Sequence, residues 1–145
     1  MDMRFLPIVS LSLALIGCAQ PDPALDVTNA TVAASANSAA VYATIDNKGG
    51  ADRLTGIEVD GRVPISLHET TMTDGVMRMR PVEALDVPAN GRLQLKSGGA
   101  HGMSVGQISA DPPELPLTFR FERHAPISVS ATVTGPGGMP MEHGH

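Results

Sequence analysis

The chain has 145 residues, 42% hydrophobic and 17% charged, with a formal net charge of -5. That length supports one domain with a packed core, and the absence of any run of Lys and Arg argues against a nucleic-acid partner. One cysteine, Cys18, can make neither an internal disulfide nor a Cys-rich zinc site, and with three Phe, one Tyr and no Trp the core is expected to be built from Val, Ile, Leu and Ala.

Residues 1–17 read as a lipoprotein signal peptide. Arg4 supplies a short positive region, and Phe5–Ile16 is an apolar run interrupted only by Pro7 and two serines. This run is too short to cross a hydrocarbon layer of roughly 30 Å and fits a signal-peptide core. Leu15-Ile16-Gly17-Cys18 resembles the bacterial lipobox. That resemblance implies cleavage before Cys18, acylation of its sulfur, and a periplasmic protein anchored in a membrane. Residues 18–26, with Pro21 and Pro23 and little periodicity, read as a tether.

From Val27 onward no segment keeps a helical period. Short β-rich runs alternate with turn signals instead. Ala40–Asp46 ends at Asn47-Lys48-Gly49-Gly50, and Arg53–Val59 ends at Asp60-Gly61. Val63–His68 is followed by a polar stretch closing on Asp74-Gly75. Val76–Arg80 alternates, with Met77 and Met79 on one face. Arg92–Lys96, His101–Ile108, Leu117–Glu122 and Ile127–Val133 complete the set. This spacing predicts an all-β Greek-key barrel or sandwich over 27–134, with 135–145 outside it as a Gly-, Met- and His-rich tail.

The chemistry-bearing residues are clustered. His68, Met72, Met77 and Met79 fall within twelve positions, and His101-Gly102-Met103 forms a second group. On an extended segment His101 and Met103 point the same way, and the glycine between them is expected to leave room for an ion. Thioether sulfur is neutral and soft. It suits Cu(I), is a poor ligand for Ca²⁺ and Mg²⁺, and is not favoured by zinc. A blue-copper centre needs a Cys thiolate, and the only Cys is the lipidation candidate.

The spacing also resembles a family signature. His68, ten residues, Met79, twenty-one residues and His101-x-Met103 is similar to the H-x10-M-x21-H-x-M motif of the periplasmic PCu(A)C copper chaperones. The flanking text from about Val27 to Val133 resembles that family too. The resemblance implies a cupredoxin-like β-barrel that binds Cu(I) through His68, Met79, His101 and Met103. It also implies delivery to the copper centre of cytochrome c oxidase, in subunit II, alongside Sco-type proteins. Met72 and Met77 are left in supporting roles. Two departures stand out. Thr28–Val32 lacks the Trp often found near the family's first strand, and Gly102 replaces a larger apolar residue, so a more open site is expected.

In the tail, Met139, Met141, His143 and His145 fall within seven positions and suggest a second, weaker copper site able to take Cu(II). His124 reads as an ordinary surface histidine. There is no Ser-His-Asp set that can be placed, no phosphate-binding Gly loop and no HExxH, so no enzyme is expected. The alternative to a chaperone is a periplasmic copper-buffering or resistance protein without a dedicated delivery target.

Overall fold

A computed structural model describes residues 19–109 and 112–135. The readings made on Cys18 and on Met139, Met141, His143 and His145 therefore lie outside the described residues. The described chain contains no helix. Its ten strands are β1 (Leu25–Ala34), β2 (Ser38–Asn47), β3 (Asp52–Val59), β4 (Val63–Thr73), β5 (Val76–Val82), β6 (Leu85–Val87), β7 (Gly91–Leu95), β8 (His101–Val105), β9 (Glu114–Phe121) and β10 (Ile127–Thr134).

Seven strands close a ring in the order β4-β8-β2-β1-β10-β9-β3, with β3 pairing back onto β4. β1 and β10 run parallel, with Thr31 opposite Thr132, and the other pairings are antiparallel. The expected all-β barrel is therefore present. Two strands share the length of β2: β8 takes Ser38–Val41 and β7 takes Ala43–Asn47. β5 pairs with β4 alone and stands outside the ring.

Period-two alternation decides which side chains enter the barrel. On β2, Ala39, Val41, Ala43 and Ile45 are buried while their neighbours are only partly covered. Leu54, Ile57, Leu117 and Val133 meet them from the other strands. The core is not purely aliphatic, as composition suggested. Phe119 is fully buried on β9 and Phe121 nearly so, because with Leu117 they occupy the alternate positions of β9 that face the barrel interior. β1 escapes a period-two reading because its register shifts between Thr28 and Thr31, where Asn29 adopts a positive φ of 52°. The bulge places both Val27 and Val32 inside although five positions separate them.

The segment expected to be a free tether is largely fixed. Leu25 and Asp26 already belong to β1. Lys48 N–H donates to the Ala24 carbonyl at 3.0 Å and Gly50 N–H to that of Asp22 at 3.0 Å. Arg123 reaches the carbonyls of Gln20 and Pro21 at 3.3 and 3.0 Å. Asn47, 3% exposed, ties this end together. Its Oδ1 accepts from Ala24 N–H and Gly49 N–H, and its Nδ2 donates to the carbonyls of Gly50 and Pro88. All four of the amide's hydrogen-bonding positions are used, which is what makes a buried Asn tolerable.

Candidate metal centre

β4 positions the centre. Ile65 and Leu67, each 4% exposed, point into the barrel, so Ser66, His68 and Thr70 face outward. Register then fixes the neighbours. His68 lies opposite His101 and Ser66 opposite Met103 across β4–β8, and Thr70 lies opposite Met79 across β4–β5. Directly opposed residues share a sheet face. The structure thus brings His68, Met79, His101 and Met103 onto one outer face of β5-β4-β8.

The two imidazoles lie side by side, with ring centroids 5.9 Å apart and planes 18° from parallel. His101 is 7% exposed. The turn before β8 folds back beside it: Lys96 N–H donates to the Ala100 carbonyl and Gly99 N–H to the Lys96 carbonyl. The Gly99 carbonyl faces His101 Nδ1 at 3.1 Å. A carbonyl only accepts, so Nδ1 carries the hydrogen and Nε2 keeps its lone pair for a metal. His68 is half-buried, and its Nδ1 is buried with no hydrogen-bond partner. An orphaned ring nitrogen beside a second imidazole is an unfavourable arrangement that coordination would relieve. The Gly99 carbonyl is a contributor that the sequence reading missed. The signal was the Ser97-Gly98-Gly99 turn two residues upstream of a candidate ligand.

Met79 is 50% exposed, so this thioether is open to solvent. The polar partners lie on the other side of the hairpin, where Glu69 and Arg80 are paired at 3.4 Å. Among the described residues no group of three His, Cys, Asp or Glu side chains is placed to hold an ion. What the face offers is two imidazoles and two uncharged thioethers, a donor set suited to a soft, singly charged cation.

Gly102 does not have the expected role. It occupies the opposite face of β8, and a Cβ there would lie 2.7 Å from Ile65 Cγ2 and 3.1 Å from Val41 Cβ. The space it frees belongs to the barrel core, not to the ion, so its effect is tight packing and not a more open site. His124 lies elsewhere, by a cleft of about 700 Å³ that Asn47, Asn90 and Arg92 also line. It is half-buried and edge-on to Phe121, with centroids 6.0 Å apart, rather than an ordinary surface residue.

Residues 25–133 match the family model described as "Putative lipoprotein LpqE-like". The chain belongs to the LpqE-like family. The matched span runs from the start of β1 almost to the end of β10 and contains all four residues of the face. No curated protein matches the sequence. Among solved structures, this LpqE-like chain is similar to the copper-bound PCuAC domain of PmoF2 (TM-score 0.63, 19% identity, covering 77% of this chain and 93% of that one). It is similar to the apo PCuAC domain of PmoF1 (TM-score 0.62, 21% identity, 81% and 100%). It also matches apo-DR1885 from Deinococcus radiodurans (TM-score 0.56, 26% identity, 95% and 99%). The PCu(A)C resemblance read from the motif and the cupredoxin-like barrel it implied are both borne out by these matches.

Proposed function

We propose that this protein is a periplasmic metallochaperone that carries one Cu(I) on His68, Met79, His101 and Met103 and passes it to an acceptor. The observation that carries this reading is the register. Four residues from three strands, up to 35 positions apart in sequence, fall on one face with two imidazoles side by side. The copper-bound state of a structurally similar domain supports it. Imidazole nitrogen and thioether sulfur hold Cu(I) without thiolate, and the ion can leave without any change of oxidation state. Binding and release are the function; no bond of a substrate is made or broken.

The acceptor in this reading is the cytochrome c oxidase copper centre in subunit II, a Sco-type protein, or both. Acylation of Cys18 would keep the chaperone at the membrane where such acceptors sit. In the tail, His143 and His145 would collect Cu(II), and Met139 and Met141 would hold the ion once reduced. Truncation after Thr134 is expected to remove one Cu(II) equivalent and leave Cu(I) binding intact, as read by metal titration.

The decisive experiment is a Cu(I) titration of the tail-deleted domain against the double variant Met79→Ala, Met103→Ala. One tight equivalent is expected in the parent domain, with a large loss of affinity in the variant. Unchanged affinity would show that these thioethers are not ligands. A protein that binds Cu(I) tightly yet surrenders none to any oxidase-assembly partner would be a buffer and not a chaperone.

A further inference from the structure

The β4–β5 hairpin carries more thioethers than the proposed Cu(I) site needs. Met72 lies opposite Met77 two rungs beyond the Thr70–Met79 pair, so both share the face of Met79 and His68. Met72, Met77 and Met79 are 70%, 56% and 50% exposed. The opposite face holds Glu69, Arg80, Thr71 and Arg78. All three methionines of the hairpin fall on one face and both arginines on the other, although Val76 also stands exposed on the arginine face. Leaving three large apolar side chains in water is unfavourable unless something uses them.

Their placement suggests a direction. Met77 and Met79 are two residues apart on β5, about 6.7 Å along the strand. The Met77 methyl also leans toward the turn that precedes His101: a Cβ on Gly98 would stand 3.9 Å from it. The tip is held by Asp74 and Gly75 at φ of 52° and 75°, the two-residue turn that matches hairpin twist, so the Met72–Met77 pair has a defined place at the free end. A row of thioethers thus leads from the exposed tip to the imidazoles.

We propose that Met72 and Met77 form a weak, thioether-only Cu(I) site, and that Cu(I) enters and leaves the His68–Met79–His101–Met103 centre through it. This rests on the Cu(I) reading of that centre. Each step is ligand exchange: a bond to the next sulfur forms as one to the last breaks, and copper remains Cu(I) throughout. Two neutral sulfurs without an imidazole bind weakly enough to release, which a way station requires.

The experiment has two readouts on the full-length chain. In the first, Ag(I), a soft ion of the same charge that undergoes no redox change, is added to the His68→Ala, His101→Ala variant and to wild type. Methionine Cε resonances are followed by NMR. Shifts at Met72 and Met77 are expected in both proteins. In the second, Cu(I)-loaded Met72→Leu, Met77→Leu protein is mixed with a small-molecule Cu(I) chelator, which needs no docking surface. The equilibrium Cu(I) affinity is expected to stay unchanged, while transfer slows by roughly tenfold or more, the scale on which residues supporting a metal site act. Absent shifts at Met72 and Met77, or a transfer rate equal to wild type, would overturn the proposal. A rate that falls only with a protein acceptor would also overturn it, and would make the patch a docking surface instead. Absence of a tight Cu(I) equivalent in wild type would overturn the reading of the centre itself, and the Ag(I) shifts are read independently of that.

Discussion

His101 gives one ring nitrogen to the Gly99 carbonyl, and in the proposed reading the other would bind Cu(I), so protons and copper would compete for the same lone pair. The thioethers of Met79 and Met103 do not titrate. Cu(I) affinity is therefore expected to fall as the pH is lowered, and the slope should vanish in a His68→Ala, His101→Ala variant titrated across the same range. Gly102 offers a contrasting test. Gly102→Ala forces a Cβ against Ile65 and Val41 and is expected to destabilise the fold by about 1–3 kcal/mol in denaturant unfolding, with Cu(I) stoichiometry retained. The candidate donors were legible in the sequence because soft donors at paired spacings have few other uses, and the register brings them to one face. Gly102 was misread although one rule governs both cases. The alternation that puts His101 and Met103 on one face puts the residue between them on the other.

At the level of elements, most strands were legible from alternation, but β4 runs five residues past His68, where the sequence reads as a polar loop. Thr70, Thr71, Met72 and Thr73 extend the strand only because β5 pairs with them, and Met72, Met77 and Met79 on that arm are at least half exposed. Pro81, which has no N–H to donate, is tolerated in β5 because β5 is an edge. Such an arm opens locally at low free energy. In hydrogen exchange, β5 amides are expected to exchange well before those of β2 and β10, and Cu(I) loading should slow them, since Met79 would then tie the arm down. Equal protection in both states would argue against Met79 as a ligand. Next to β4 in the ring, Arg120 donates to both oxygens of Glu58 at 2.9 and 3.0 Å, joining β9 to β3. That hydrogen bonding holds the Glu58 carboxyl below the usual carboxylate range. A lowered carboxyl stabilises the fold above its unfolded value, and the contribution is lost as the pH falls through the folded value. Glu58→Gln should therefore flatten the acid limb of a stability profile slightly, because the pair is exposed.

The molecule as a whole is a ring closed by its own ends, β1 against β10, with the Asn47 amide as the fastening at one rim. Asn47→Asp keeps the shape but turns two donors into acceptors facing the Gly50 and Pro88 carbonyls. A loss of about 1–3 kcal/mol per broken interaction is expected in thermal unfolding. The sequence reading saw that segment as a turn cluster and could not see the clamp, because its partners, Ala24 and Pro88, are 23 and 41 residues away. The same rim holds Gln20 to Ala24 in place. If Cys18 is acylated as proposed, Cys18→Ala should move the protein from the membrane fraction to the soluble periplasm. The docked segment then has a further consequence. A leash of n residues reaches roughly 5–6 Å × √n, and here only Ala19 lies between the lipid-bearing residue and the first one held by the barrel. The domain would ride at the bilayer like a float on a short mooring. Its encounters would be set by sideways diffusion in two dimensions, so an acceptor embedded in the same membrane would meet it far more often than one dissolved in the space above.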